Sequence, residues 1–374
     1  MIAALILLSS IILFHEFGHF LLAKLNGVAV VEFSLGFGPR LLTHVSKKSG
    51  TRYSLKLLPL GGSCAMLGEL EEDGDETAKD VGETDEKSGD DIPDWLTGCR
   101  FSDASVLGRI AIVAAGPIFN FILAFVFALV ILSWAGYDSP QILGVAEGQA
   151  AEAAGIQAGD VITRIDGRRV DFARDITMAM MLNDGSAVDV QYKRYDQEAD
   201  RWVKHETIVD PGAYASSGGR YYLGVHLNSM RSSVKSVPQL LKYGVCEVRY
   251  WICTVIDSLR MIAKGQVSGD EVAGPVRIVT MIDESVEENM QYGMVTVVMN
   301  LFNQMVMFSA NLGVMNLLPI PGLDGGRLLF LFWELISRRP VNQRIEIAVN
   351  TAGLAFLMML MVLIFFNDIR NVFL

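Results

Sequence analysis

The sequence predicts a polytopic α-helical membrane protein with four transmembrane helices and one inserted α/β domain. Of its 374 residues, 51% are apolar and only 20% are charged, and the mean hydropathy is +0.35. Soluble domains carry about 25% charged residues, so this composition favours a membrane protein. The apolar residues are concentrated in four blocks, and each is as long as the roughly 20 residues that a helix needs to cross a bilayer.

The four blocks give predicted transmembrane helices at 1–25, 110–137, 289–323 and 347–367. The first block has ionisable side chains in its middle and no basic segment before it, which argues against a cleaved signal peptide. The second and fourth blocks contain no charged residue and are too long and uniform for ordinary buried helices. The third ends in a proline-rich segment, where a helix cannot continue.

Charges beside the blocks predict the topology. The loops 26–109 and 324–346 carry basic residues near their ends, whereas 138–163 has no Lys or Arg. Short basic loops stay in the cytoplasm. We therefore expect both loops to be cytoplasmic, and both termini and the segment 138–288 to be extracytoplasmic.

Charge and cysteine content exclude other classes of protein. The net charge is -11, whereas a nucleic-acid binder needs a basic surface, so no nucleic-acid partner is expected. The four cysteines include no C-x-x-C pair and indicate no disulfide framework.

The first block contains an H-E-x-x-H motif, formed by His15, Glu16 and His19. A charged side chain inside a membrane helix costs about 2.5–3.5 kcal/mol on insertion scales, so this group needs a functional reason. Residues i and i+4 share a helix face, which allows both imidazoles to bind one metal ion. Glu16 stands beside them, where it can take a proton from a water molecule. The motif predicts a catalytic metal site.

Asp324 is the candidate for a third metal ligand. A catalytic zinc site offers three protein ligands and one open position. Asp324 follows the third block, just after Pro319 and Pro321 break the helix. The alternative is that Asp324 only caps the next helix, 327–337. The H-E-x-x-H motif, and the lack of a rival acid in the second and fourth blocks, favour ligation.

The sequence resembles the site-2 protease family. Within it, the sequence is similar to the bacterial intramembrane zinc metalloproteases that perform regulated intramembrane proteolysis and cleave anti-sigma factors. The resemblance runs nearly end to end. It rests on HEFGH (15–19), SLGFGPRL (34–41), YSLKLLPLGG (53–62), MLGE (66–69), FSDASVLGR (101–109), AGPIFN (115–120) and NLLPIPGLDGG (316–326). It implies that His15, His19 and Asp324 bind Zn²⁺ and that Glu16 is the catalytic base. It also implies that Asn316 and Pro321 handle the substrate strand.

The loop 26–109 contains two segments of different character. Residues 53–66 resemble the membrane-associated β-hairpin of this family, which is expected to hold the substrate extended, with Gly61 and Gly62 in contact with it. The alternative is an ordinary amphipathic hairpin at the cytoplasmic face. Residues 69–94 are strongly acidic, and we expect them to be solvated and disordered.

The segment 138–228 resembles a PDZ domain. Residues 153–167 have the pattern of a turn followed by a strand, and 188–192 alternate like a strand. The resemblance implies a filter for substrate size, and the alternative is a folded insertion without a ligand. Residues 235–265 form an amphipathic stripe, which favours a helix lying on the outer membrane surface, and the alternative is a helix packed against the PDZ-like domain.

These features predict an intramembrane zinc endopeptidase of a bacterial cytoplasmic membrane. The expected substrates are single-pass membrane proteins, an anti-sigma factor or a remnant signal peptide, after a first cut outside the membrane. The lipid bilayer is the other expected partner. Two alternatives stay open on the residues alone: a metal transporter, against which the lack of internal repeats argues, and a non-catalytic scaffold with a PDZ module.

Overall fold

The computed structural model describes residues 2–69, 96–212, 221–228, 231–266 and 274–373. The chain forms two compact units. The first unit is Met1–Ala124 together with Lys264–Leu374, and the second is Phe125–Ala263. Apart from Glu69, the acidic stretch 69–94 lies outside the described residues.

The described helices and strands follow one another in a fixed order. They are α1 (Ile2–Leu25), β1 (Val30–Val45), β2 (Arg52–Met66), α2 (Val106–Ala135), β3 (Ile142–Val145), α3 (Ala150–Ala153), β4 (Val161–Ile165), β5 (Arg168–Arg169), α4 (Ala173–Met181), β6 (Val188–Asp196), β7 (Arg201–Val209), β8 (Val225–Leu227), α5 (Val237–Ala263), α6 (Pro275–Met290), α7 (Met294–Leu317), α8 (Asp324–Ser337) and α9 (Gln343–Phe373).

Four of the described helices, α1, α2, α7 and α9, are long and apolar enough to cross a membrane. Their number agrees with the four apolar blocks, and with the α/β elements between them they fit a polytopic membrane protein. The third span is shorter than the predicted 289–323, because α7 begins at Met294 and ends at Leu317. A separate helix, α6, precedes it and has Pro275 in its first turn, where the missing N–H costs nothing.

The strands β1 and β2 form a two-stranded antiparallel sheet in the first unit. Phe33 of β1 pairs with Tyr53 and also with Cys64, so β1 contacts two stretches of β2. Sequence reasoning predicted a hairpin folded within 53–66. The structure instead gives that segment the longer partner β1, because the backbone groups of 52–66 need hydrogen-bond partners that the segment does not supply to itself.

The first unit has an apolar core where α1, β1, the end of β2, α2 and α8 meet. Its buried members are Ala23, Val28, Val30, Met66, Phe101, Ile112, Val113, Leu328 and Leu331. The backbones of α1 and α2 approach closely, since a Cβ at Gly18 would lie 2.6 Å from the carbonyl oxygen of Ala115. This core fixes the relative positions of α1, α2 and α8, the three helices that carry the site.

The second unit contains a four-stranded sheet of order β5-β4-β6-β7 and a two-stranded sheet of β3 and β8. An apolar core connects these strands with α3 and α4. Its most buried members include Ile142, Ala151, Ile162, Ile165, Val188, Val190 and Val209. The second unit is therefore the predicted α/β insertion, and its assignment as a PDZ domain stays a prediction.

The helix α5 packs against the inserted domain through ion pairs. Its carboxylates at Glu247 and Asp257 bind Arg174 and Arg168, respectively. Its guanidinium at Arg249 lies 2.9 Å from Asp171. Of the two predicted positions for this amphipathic helix, packing against the domain is therefore observed. Other apolar side chains along α5 are exposed and remain accessible for contact with a membrane.

Candidate metal centre and active site

The side chains of His15, His19 and Asp324 converge on one point. Both histidines lie on α1, one turn apart, and both are more than nine-tenths buried. Their Nε2 atoms are 3.2 Å apart. Oδ2 of Asp324 lies 3.2 Å from Nε2 of His15 and 3.5 Å from Nε2 of His19. The structure thus brings together the three predicted ligands, although Asp324 follows His15 by 309 positions and His19 by 305 in the sequence.

These separations fit a tetrahedral zinc ion. Bonds of about 2.0–2.1 Å from zinc to nitrogen and oxygen place ligand atoms about 3.3 Å apart at the tetrahedral angle. Oδ2 of Asp324 is also buried without a hydrogen-bond donor among the described residues. A buried carboxylate oxygen without a donor is costly unless a cation binds it. We conclude that the residues present fit zinc.

Backbone and side-chain groups of α2 orient the two imidazoles. Nδ1 of His19 donates to the carbonyl oxygen of Ile112 at 2.9 Å, which leaves the Nε2 lone pair free for a metal. The amide of Asn120 lies 3.1 Å from Nδ1 of His15. With its oxygen towards the ring, this amide accepts the Nδ1 proton and frees Nε2 in the same way. The hydroxyl of Ser309 donates to the backbone carbonyl of Asn120 at 2.8 Å and holds this turn of α2.

Gly116 makes room for both histidines. A Cβ at this position would lie 2.3 Å from Nε2 of His19 and 2.6 Å from Cε1 of His15, distances that no side chain tolerates. Only glycine therefore lets α2 pass so close to the ligands. Sequence reasoning assigned no role to Gly116 or Asn120, although the segment AGPIFN (115–120) contains both.

Asp324 is held at the first turn of α8 by the glycines after it. A Cβ at Gly325 would lie 2.1 Å from the Leu318 carbonyl oxygen, so this turn packs directly against the preceding backbone. Leu323 is the residue that caps α8, and no side chain forms a cap hydrogen bond there. The alternative that Asp324 serves only as a cap therefore has no support in the geometry.

Glu16 and the end of β2 share a cavity of about 210 Å³ with the three ligands. The cavity is lined by His15, Glu16, His19, Ser63, Cys64, Met66, Glu69, Val113, Asp324 and Arg327. At Gly62, a Cβ would lie 3.2 Å from Cγ of Glu16, so β2 runs immediately beside this side chain. The arrangement places an acid, a strand and a metal site next to one another.

The other predicted substrate residues occupy different places. Nδ2 of Asn316 lies 3.3 Å from Nε2 of His15, beside the ligands. Pro321 instead packs against α9, where a Cβ at Gly353 would lie 2.2 Å from its carbonyl oxygen. Gly61 lies against the ring of Phe37. None of the four predicted substrate residues is among the residues that line the cavity, and their roles stay predictions.

A candidate membrane helix that carries two histidines, with an aspartate brought beside them, is the site of a membrane-embedded metalloprotease. The chain belongs to peptidase family M50, whose sequence model matches residues 3–360. It is 32% identical to the regulator of sigma-W protease RasP of Bacillus subtilis, with 100% of this chain and 99% of that protein covered. It is 30% identical to the zinc metalloproteases RasP of Bacillus licheniformis and Geobacillus kaustophilus, with 100% of this chain and 99% and 98% of those proteins covered.

The protein is therefore a zinc metalloprotease of the site-2 protease type and a multi-pass bacterial membrane protein. This confirms the resemblance, the hydrolase activity and the zinc cofactor predicted from the sequence. The transporter and scaffold alternatives are not supported by these relatives.

Proposed function

We propose that the protein is an intramembrane endopeptidase that cleaves a transmembrane segment of a single-pass membrane protein, with Glu16 as the catalytic base. The observation that carries the proposal is the common cavity of Glu16, the ligands His15, His19 and Asp324, and the end of β2. Most of the residues involved lie on or beside apolar helices, which suits a substrate that is itself a membrane helix.

The chemistry follows from the groups in this cavity. Zinc at the three ligands would lower the pKa of water towards about 7 and polarise the scissile carbonyl. Glu16 accepts the proton of the attacking water on its carboxylate and returns it to the leaving amine. Ile112 and Asn120 hold the imidazoles in the orientation that keeps Nε2 turned to the site.

A helical substrate must become extended before it is cut. Its peptide carbonyls are otherwise hydrogen-bonded along the helix and shielded by side chains. Cys64 of β2 pairs with Phe33 on one side, and β2 also passes Glu16 at Gly62. Strand addition at this end of β2 would hold the substrate backbone extended beside the base, which supports the predicted substrate role of 53–66.

The topology suggests which substrates qualify. With the loops 26–109 and 324–346 in the cytoplasm, the inserted domain 138–228 faces outwards and restricts cleavage to proteins already trimmed there. The Bacillus subtilis relative is named a regulator of sigma-W protease. An anti-sigma factor is therefore the favoured substrate class, and a remnant signal peptide is the second.

The test combines zinc content with cleavage of a model single-pass helix by detergent-purified protein. Wild type, Glu16→Gln and Asp324→Asn are compared. We expect about one zinc per chain and cleavage in wild type, retained zinc without cleavage in Glu16→Gln, and loss of both in Asp324→Asn.

Two results would overturn the proposal. Cleavage that survives in Glu16→Gln would show that Glu16 is not the base, and zinc retained at the wild-type level in Asp324→Asn would show that Asp324 is not the third ligand.

A second experiment tests whether the inserted domain restricts substrate size. Adding a folded domain to the outer part of the substrate should stop its cleavage.

A further inference from the structure

An arginine lies in the metal cavity one helical turn from a metal ligand. Arg327 follows Asp324 by three positions on α8, so the two side chains share a face of that helix. Both line the cavity of about 210 Å³. Arg327 forms an ion pair with Glu69, which comes from the loop after β2 and lines the same cavity.

The position of Arg327 is a problem for a cation site. A guanidinium has the same sign of charge as zinc, and at the low dielectric of a buried cavity their repulsion is strong. The guanidinium is also a natural partner for the unpaired carboxylate oxygen of Asp324, since arginine binds carboxylates with high geometric specificity. An Arg327 free to turn would therefore compete with zinc for its third ligand.

Glu69 is held in place independently of α8. The amide of Leu67 donates to the Ala29 carbonyl at 3.0 Å, and the amide of Phe101 donates to the Leu67 carbonyl at 2.7 Å. The second carboxylate oxygen of Glu69 lies 3.4 Å from the amide of Met66. The carboxylate thus stands on a loop whose backbone is held by Ala29 and Phe101, neither of which belongs to the helix that carries Arg327.

We propose that Glu69 is a positioning residue of the metal site, which holds Arg327 away from Asp324 and neutralises its charge so that zinc keeps its third ligand. The pKa of Arg327 agrees with this arrangement. Burial lowers this pKa, but the negative charges of Glu69 and Asp324 raise it by more, so it lies above its ordinary value. The proposal rests on the ligand set His15, His19 and Asp324 given above.

The test measures zinc retention against a chelator in full-length, detergent-purified protein. The variants are Glu69→Gln, Arg327→Gln and the double variant. The control is Glu334→Gln. Glu334 lies on the same helix as Arg327, and this substitution breaks its 2.7 Å ion pair with Arg109 of α2. Removing partners of metal ligands typically weakens metal affinity by about 10–100-fold, and we expect Glu69→Gln to lower zinc affinity about tenfold.

The double variant separates this role from a structural one. Arg327→Gln and the double variant should retain zinc as well as wild type or better, because the competing charge is gone, and Glu334→Gln should match wild type. The proposal is overturned if Glu69→Gln keeps zinc as wild type does, or if the double variant loses as much zinc as Glu69→Gln. Arg327→Gln alone tests it again, since a loss of zinc there contradicts it.

Measuring wild type and Asp324→Asn in the same assay separates this inference from the proposed function. If wild type binds no zinc, or Asp324→Asn retains it, the ligand set itself has failed. If those controls behave as expected and only the Glu69 series departs, the ligand set stands and the positioning role is withdrawn.

Discussion

The carboxylate of Asp324 in the first unit has different partners from the buried carboxylates of the second unit. In the second unit, Glu247 binds Arg174, Asp257 binds Arg168, and Asp160 lies 2.7 Å from Arg194. In the first unit, Oδ2 of Asp324 is buried beside two imidazoles and has no hydrogen-bond donor among the described residues. The second unit neutralises its buried acids with arginines from the same chain. The first unit also contains such pairs, as between Arg40 and Glu32, but it leaves one oxygen of Asp324 available to a cation from solution.

This difference separates structural acids from functional ones. A buried carboxylate is costly in either unit, because it loses water that must be replaced by charge or hydrogen bonds. Where an arginine replaces the water, the charge of the carboxylate is balanced by a residue of the same chain. Where two histidines and an unpaired oxygen meet at the spacing of zinc ligands, we expect a metal ion to be the replacement and the stability of that region to depend on it.

The largest expected effect comes from filling the space beside the ligands. Gly116→Ala places a methyl group where the two imidazoles stand, so zinc binding and proteolysis should both fall to background. Metal analysis and cleavage of a model helix measure this. Gly144→Ala is the matched control in the second unit, since its Cβ would meet its first neighbour only at 3.6 Å, and it should leave zinc unchanged.

Breaking an arginine pair in the second unit should cost stability without affecting zinc. Glu247→Gln leaves Arg174 without its main charge partner. We expect a loss of about 2 kcal/mol, less than the about 3–5 kcal/mol of a fully buried pair, because Arg174 is partly exposed. Hydrogen exchange within 138–263 of the full-length protein measures it. A loss of zinc in this variant would contradict the division between the units.

The third effect, similar in size to the second, concerns the orientation of His15. Asn120→Ala removes the amide beside its Nδ1 while leaving the three ligands in place. Zinc affinity should fall about 10–100-fold, as is usual when a partner of a metal-bound histidine is removed. Competition with a chelator measures the affinity. Asn120→Asp, which still offers an oxygen acceptor, should be less impaired, and equal losses in both variants would argue against the hydrogen bond.

Local patterns predicted much of the membrane unit. The four apolar blocks became α1, α2, α7 and α9, and the spacing of His15 and His19 placed both imidazoles on one face of α1. A helix repeats over a few residues, so its faces can be derived from neighbouring positions alone. The choice of Asp324 needed more, namely its place after the broken helix and the absence of a competing acid in two other blocks.

Contacts between distant segments were not predicted. The role of β1 as the partner of β2 was missed, because pairing between strands depends on which backbone groups meet in space. The helix α6 was also missed, since it carries acidic residues and lacks the apolar pattern of a span.

The sequence by itself determined the class of the protein and its metal chemistry: membrane helices, two histidines and a glutamate on one helix, and an aspartate after a helix break. The tertiary structure alone decided what surrounds these groups. Gly116, Asn120 and the Ile112 carbonyl come from α2, and Glu69 faces Arg327 from the loop after β2. The physical reason is that ligand type and helical spacing are properties of short stretches, whereas orientation and charge balance at the site depend on elements brought together by packing.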